Sequence, residues 1–446
     1  METTVEMADR VQEFVDYLAE LPPAGSEEDN IDRLQHLERA KRALAAAQAT
    51  ATHAFVEQRK ANEAGLRIRP ADQLKGIEAE VGLARGESPF MGAALTHMAT
   101  ALCTVLPHTK TALAVGRVSE YHARIVADQT NHLSEVHRRE IDARIAHRLG
   151  TASSSQLRKL IEGHAYRLDR TAAEQRAADN ARRRRRVGVD HGSNGMSYLT
   201  AELPTHQAVA VMDSLKKRTN QRLAAHRRDQ TEAHGVPNGE DAAPSRDQTM
   251  ADVFVELLTG QTTAAGVTAE VVVVMSDTSL FGDDDLPAWI PGHGPLPAGM
   301  VKHWLANPAA AKFFRRMYTR ATDGQLVALE STRRRFPEGL SKMLAIRDDT
   351  CATPWCNNPI EDADHRQPWA QGGTTTWDNA TGLCKRCNQR KENRGWSYSG
   401  TPDLLIVTTP TGHQYTVPTR PPLSDIRHII SDLPPVTIDI AWCRAA

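Results

Sequence analysis

Four of the chain's six cysteines cluster near its C-terminus, as Cys351-Ala-Thr-Pro-Trp-Cys356 and Cys384-Lys-Arg-Cys387. Two such short-spaced pairs can bring four thiolates to one tetrahedral zinc ion. Four protein ligands close the coordination sphere, so a zinc held this way folds its segment and leaves no position open for water or substrate. Buried thiols or disulfides are the competing reading. No secretion signal precedes the cluster, which favours zinc.

Between the pairs lies different chemistry. Asp364 is a hard oxygen ligand suited to Mg2+ or Mn2+, and the adjacent His365 can take a proton near neutral pH. Neighbours on a strand point to opposite faces, but at a strand end they can serve one site from two directions. Pro368 and Gly372-Gly373 signal a turn, residues 374–377 are expected as a second strand, and a helix is expected over residues 383–392. On that helix Cys387 and Asn388 diverge, so one can face zinc and the other a second ion, while Lys391 shares the face of Asn388.

Taken together, residues 344–396 resemble an HNH endonuclease domain of the ββα-metal type in its zinc-stabilised form. The resemblance implies that His365 is the general base, that Asp364 and Asn388 hold a catalytic divalent ion, and that Asn379 orients the loop and the imidazole. The motif departs from many members at Asn388, where they carry histidine. A neutral oxygen donor there favours Mg2+ or Mn2+ over softer ions. Arg390 and Lys391 are candidate phosphate contacts, with solvated basic residues the plainer reading, and the linker run Arg333-Arg334-Arg335 is equally a phosphate track or a solvated linker. Arg347 is read in the same way.

Ordinary soluble composition, 40% hydrophobic and 24% charged in 446 residues, allows two or three domains. With a formal net charge of −1, any nucleic-acid binding must come from local patches. No apolar run approaches membrane-spanning length and the N-terminus lacks a signal-peptide pattern, so a cytoplasmic protein without a membrane partner is expected.

The fold class expected is α+β. Residues 1–185 are expected to be helical, with helices over 31–69, 91–106, 119–128, 133–149 and 155–184 packing as a bundle, a surface that leaves room for a homodimer. Residues 186–330 read as an α+β middle region: a hairpin about Ser193-Asn-Gly195, helices near 205–225 and 251–258, and a buried strand over 269–275. Residues 331–400 make the HNH domain, and 401–446 a β-hairpin with a peripheral proline-rich tail. Arg182 to Arg186 is the densest positive run, equally a phosphate grip or a solvated helix end, and Asp283-Asp284-Asp285 reads as a solvated loop.

Gly195-Met-Ser-Tyr-Leu-Thr-Ala-Glu-Leu-Pro204 and Gly292-His-Gly-Pro-Leu-Pro297 resemble runs of the actinobacterial 13E12-repeat family, in which a domain of unknown function precedes an HNH domain. Three functions follow as expectations: a metal-dependent DNA endonuclease, a zinc-stabilised nucleic-acid-binding module that does not cut, or a helical structural protein with a vestigial nuclease domain.

Overall fold

Alanine is the commonest residue of the N-terminal sequence, and serines punctuate it at helix starts. In the computed structural model these residues build α1 (Thr4–Ala19), α2 (Glu27–Gly65), α3 (Ile77–Ala84), α4 (Pro89–Thr104), α5 (Pro107–Ala114), α6 (Glu120–Thr130), α7 (Glu135–Ile145), α8 (Ser154–Leu168) and α9 (Arg170–Arg183). The structure describes residues 4–192, 195–232, 244–261, 263, 272–276, 279–280, 286–306, 311–317, 334–401, 404–418 and 438–444. It divides into two units, Met1–Arg85 with Pro89–Glu174, and Gly86–Ser88 with Gln175–Ala446.

In the first unit Ser26, Ser119, Ser134 and Ser153 cap α2, α6, α7 and α8, each accepting a backbone N–H three residues on. Ser153 and Gln156 complete a reciprocal capping box. The core gathers Ala45 and Ala49 of α2, Met98 and Leu102 of α4, Leu113, Val126, Ile141, Ile145 and Ile161. The expected bundle is therefore present, with the expected helix over 155–184 broken where Asp169 accepts the N–H of Ala172 and starts α9. No single helix among the described residues is long and apolar enough to cross a membrane; α4 and α5 qualify only as a pair, bent by 107°.

The second unit holds β1 (Arg186–His191) and β2 (Ser197–Glu202), the hairpin anticipated from the Asn-Gly turn, then α10 (Thr205–Glu232) and α11 (Arg246–Thr259). β3 (Val272–Ser276), β4 (Ala288–Ile290), β5 (Gly294–Leu296), α12 (Ala298–Ala306) and β6 (Ala311–Met317) follow. The Arg run is exposed, with Arg182 on Asp179 and both Arg184 and Arg186 on Glu202. Residues 283–285 lie outside the described residues.

Next come α13 (Glu338–Asp348), β7 (Asp362–His365), β8 (Ala380–Leu383) and α14 (Lys385–Lys391), then β9 (Ser397–Thr401), β10 (Leu404–Thr408), β11 (Gln414–Pro418) and β12 (Ile438–Arg444). The hairpin after the zinc segment forms as expected, with β9 added to make the order β11-β10-β9. The tail is not wholly peripheral. Its β12 pairs antiparallel with both β3 and β6, inside a five-stranded sheet of order β5-β4-β3-β12-β6.

The expected second strand at residues 374–377 also needs correcting. β7 pairs instead with β8, in the register Asp362↔Leu383, Asp364↔Thr381 and His365↔Ala380. Small residues allow this burial: a Cβ on Gly382 would lie 2.6 Å from Ile360 Cδ1. Leu340 and Leu344 of α13 pack with Phe336, Trp377, Ala380 and Val274 of β3 to form the local core. The Gly292 motif has a task here too. Gly292 N–H and the Trp289 indole both donate to Asp349 Oδ1, at 2.7 and 2.9 Å, which ties the β4–β5 turn to the end of α13.

Arg347 is no phosphate contact. Only 1% exposed, it pairs with Asp348 at 2.6 Å, donates to Trp377 O at 3.2 Å and Ala380 O at 2.8 Å, and lies 4.6 Å from the Trp377 ring centroid. Asp348 in turn accepts the Gly382 N–H at 2.6 Å. Arg347→Ala should cost about 3–5 kcal/mol, because it strands the buried Asp348 charge. Denaturant unfolding followed by tryptophan fluorescence checks this.

Candidate functional site

The zinc frame is built from two turns. Cys356 N–H closes on Thr353 O at 3.0 Å, Cys351 N–H on Asn358 O at 2.9 Å, and Ala352 N–H on Gly382 O at 2.9 Å, which clamps the first pair beside β8. Cys384 caps α14 and Cys387 sits in its first turn. All four cysteines are buried, and their sulfurs lie within 4.8 Å of one another. Cys356 is 3.8 Å from Cys384 and 3.6 Å from Cys387. A tetrahedron with Zn–S bonds of about 2.3 Å has edges of about 3.8 Å, so the donor set fits structural zinc in type and size. Without an ion, Cys356 and Cys384 are pushed up to about 12, first by hydrogen bonding to Cys351 and further by burial. Sulfurs packed this closely cannot all ionise unless a cation joins them.

Strand β7 carries the second group of residues. Its period of two sends Ala363 and His365 to the α13 side and Asp362 and Asp364 toward α14. His365, 6% exposed, packs its ring 4.6 Å from that of Phe336 and 5.8 Å from that of Trp369. Burial holds its imidazole below the ordinary value against the pull of Asp364, and Lys391 and Arg334 add to the lowering.

Thr375 Oγ1 ties the ring to the chain before α13. It lies 2.8 Å from His365 Nε2 and can give its one hydrogen to Arg334 O at 3.3 Å. In the tautomer that suits both contacts Nε2 carries the proton and Thr375 accepts it, which leaves a lone pair on Nδ1, 3.9 Å from Asp364 Oδ1.

Asn379 holds the intervening loop. Its Nδ2 donates to Gln367 O at 3.1 Å and Thr374 O at 2.8 Å, and its Oδ1 accepts the Gln367 N–H at 2.8 Å. Gly373 is required at this loop, because a Cβ there would lie 1.9 Å from Gln367 O. Thus Asn379 braces main chain, while the direct partner of the imidazole is Thr375.

On α14, Asn388 Nδ2 donates to Asp362 Oδ2 at 3.0 Å, and Lys391 Nζ donates to Asp364 Oδ2 and to His365 O. Asp364 and Asn388 therefore both lie between β7 and α14. Oxygen donors of this kind suit a hard divalent ion. Arg390 and Lys391 are each only 7% exposed. The expectation of Arg390 as a phosphate contact is corrected: its guanidinium turns inward and donates to Cys387 Sγ at 3.7 Å. Arg334 and Arg335 are exposed and line a groove of about 380 Å3 together with Phe336, Asp364, His365, Trp369 and Lys391. Arg333 lies outside the described residues. Reading the sequence missed Thr375 and Asp362; the second carried a signal, since it stands one strand period before Asp364.

Comparison with known proteins adds the following. Residues 31–348 match the domain of unknown function DUF222, and residues 351–394 match the HNH endonuclease family. The uncharacterized protein Rv3776 of Mycobacterium tuberculosis is 38% identical over 81 residues, 17% of this chain and 15% of that protein. The uncharacterized protein Rv2100 of the same species is 36% identical over 81 residues, 17% of this chain and 14% of that protein. The matched stretch thus covers only 14–15% of these relatives' length. No solved structure matches the chain.

Proposed function

The chain belongs to the DUF222 family and carries an HNH endonuclease domain after it, and on that premise we propose that it hydrolyses DNA phosphodiester bonds with His365 as general base. The observation that carries this reading is the Arg334–Thr375–His365 chain at the edge of a groove flanked by arginines, which supports the tautomer with Nδ1 unprotonated. His365 Nδ1 takes the proton of a water as its oxygen attacks phosphorus, while the bond from phosphorus to the leaving oxygen breaks. Arg334 and Arg335 hold the flanking phosphates, and Asn379 keeps the loop between base and arginines in place. A Mg2+ or Mn2+ ion held by Asp364 and Asn388 would supply the positive charge that stabilises the leaving oxygen.

Incubating the purified chain with supercoiled plasmid and Mg2+ or Mn2+, beside an EDTA control, tests the proposal. Nicking that EDTA abolishes is expected. A folded, zinc-loaded chain that never cuts would overturn it. Thr375→Val should slow nicking by roughly 10- to 100-fold, less than outright loss of a base, because the ring is then free to adopt the unproductive tautomer. Thr375→Ser should recover most of the rate.

A second reading, a zinc-stabilised nucleic-acid-binding protein without cleavage, is favoured by one contact: the Lys391 ammonium already neutralises Asp364. It predicts DNA binding that weakens steeply with salt and no product at any metal concentration. The proposal also sets the protein in the cytoplasm with reduced thiols, and allows a homodimer through the helical unit, which light scattering checks.

A further inference from the structure

Asp362 has no part in the mechanism above, yet it stands beside Asp364 on the α14 face of β7, half-buried, and it holds the side chain of Asn388. We infer that Asp362 is a positioning residue that turns Asn388 so that its Oδ1 faces the divalent ion; this rests on the proposed reading of Asn388 as a ligand.

Donor and acceptor chemistry decides which edge of the Asn388 amide faces Asp362. A carboxylate only accepts, so the amide edge that meets Asp362 Oδ2 at 3.0 Å is the NH2 group, and the oxygen occupies the other edge. An unrestrained asparagine on a helix surface can present either edge, and the NH2 edge repels a cation. Asp362 removes that choice. The neighbouring pair repeats the pattern one helical turn on: Lys391, three residues after Asn388, binds Asp364, two residues after Asp362. Strand period and helix period thus match donor to carboxylate twice. A histidine ligand would be oriented by a carboxylate behind its second nitrogen, and Asp362 does the equivalent for an amide.

The test uses the full chain with its zinc in place. Mn2+ binding is followed without DNA by loss of the free-ion EPR signal, and nicking is measured in parallel as a function of Mn2+ concentration. Asp362→Leu should weaken Mn2+ binding by about 10- to 100-fold, the usual cost of losing a partner behind a ligand. Its nicking should recover toward the unmodified rate at saturating Mn2+, which a folding defect would not allow. Asp362→Asn, which keeps an oxygen able to accept from Asn388, should lie between the two. In an Asn388→Asp chain, whose carboxylate offers oxygen on either edge, Asp362→Leu should bring no further loss.

Equal Mn2+ binding by Asp362→Leu and the unmodified chain would overturn the inference, as would Asp362→Asn matching Asp362→Leu. If the unmodified chain binds Mn2+ but cuts no DNA, the nuclease reading fails while the binding series still decides the role of Asp362.

Discussion

Replacing His365 with alanine should lower metal-dependent nicking by about 100- to 10,000-fold, the range expected when a general base is lost. The loss should appear in the rate at saturating metal and leave zinc content unchanged, because His365 contributes no ligand to the sulfur cluster. The ring is buried against Phe336 and Trp369, so its removal also opens space in the groove wall. His365→Gln fills more of that space and keeps a polar atom near Thr375, yet cannot accept a proton from water near neutral pH. It should therefore be nearly as slow as alanine while melting closer to the unmodified chain. A His365→Gln chain that nicks at an undiminished rate would remove His365 from the chemistry. The contrast with Thr375→Val matters: that variant keeps the base and misplaces its proton, so its defect should be smaller.

The parts of this site that declared themselves in the sequence are those whose chemistry is loud and local. Two cysteine pairs at that spacing favour zinc over buried thiols or disulfides, and Asp364-His365 between them places a hard oxygen donor beside a titratable ring. What stayed hidden depends on partners distant in the chain. Thr375 is one of three consecutive threonines, and only the return of the chain past Arg334 and His365 makes it different from Thr374 and Thr376. The same β-branched run looked like a strand, whereas the true partner of β7 is the small, weakly strand-forming Ala380-Thr-Gly-Leu383, buried because Gly382 lets Ile360 and Asp348 approach. Arg347 and Arg390 looked like solvated charges because burial of an arginine depends on acceptors that the local sequence does not display: carbonyls of residues 377 and 380 in one case, a zinc-site sulfur in the other. β12 was illegible for the same reason, since it pairs with strands far upstream and follows a proline-rich stretch that reads as tail. The helical unit was legible as helices, because alanine, leucine and capping serines act within a few residues.

The proposed ion ligand Asn388 and two of the cysteines that fit zinc, Cys384 and Cys387, belong to one short helix, and this makes the sulfur cluster the other place where a single change should have a large effect. Cys384→Ser should abolish stoichiometric zinc and, with it, nicking. Cys384 stands at the N-cap position of α14 and offers one of the four sulfurs that fit the ion, so losing the sulfur unties the start of the helix that carries Asn388 and Lys391. Structural zinc sites contribute about 10–16 kcal/mol of apparent binding energy, which a segment this small has little core to replace. The expected picture is local: tryptophan fluorescence and proteolysis should report loss of order around Trp377 and Trp396, while the helical unit keeps its far-UV circular dichroism. The unmodified chain should release one zinc per molecule on thiol titration. Without the ion three of the thiols, Cys356, Cys384 and Cys387, are held up to about 12 and only Cys351 is lowered. Zinc uptake as a four-thiolate complex at neutral pH must therefore expel at least three protons, one from each raised thiol. Calorimetry in two buffers of different ionisation enthalpy measures that number. Release of no protons would mean that the sulfurs do not bind as thiolates, and the cluster could not then be the tetrathiolate frame on which the groove depends.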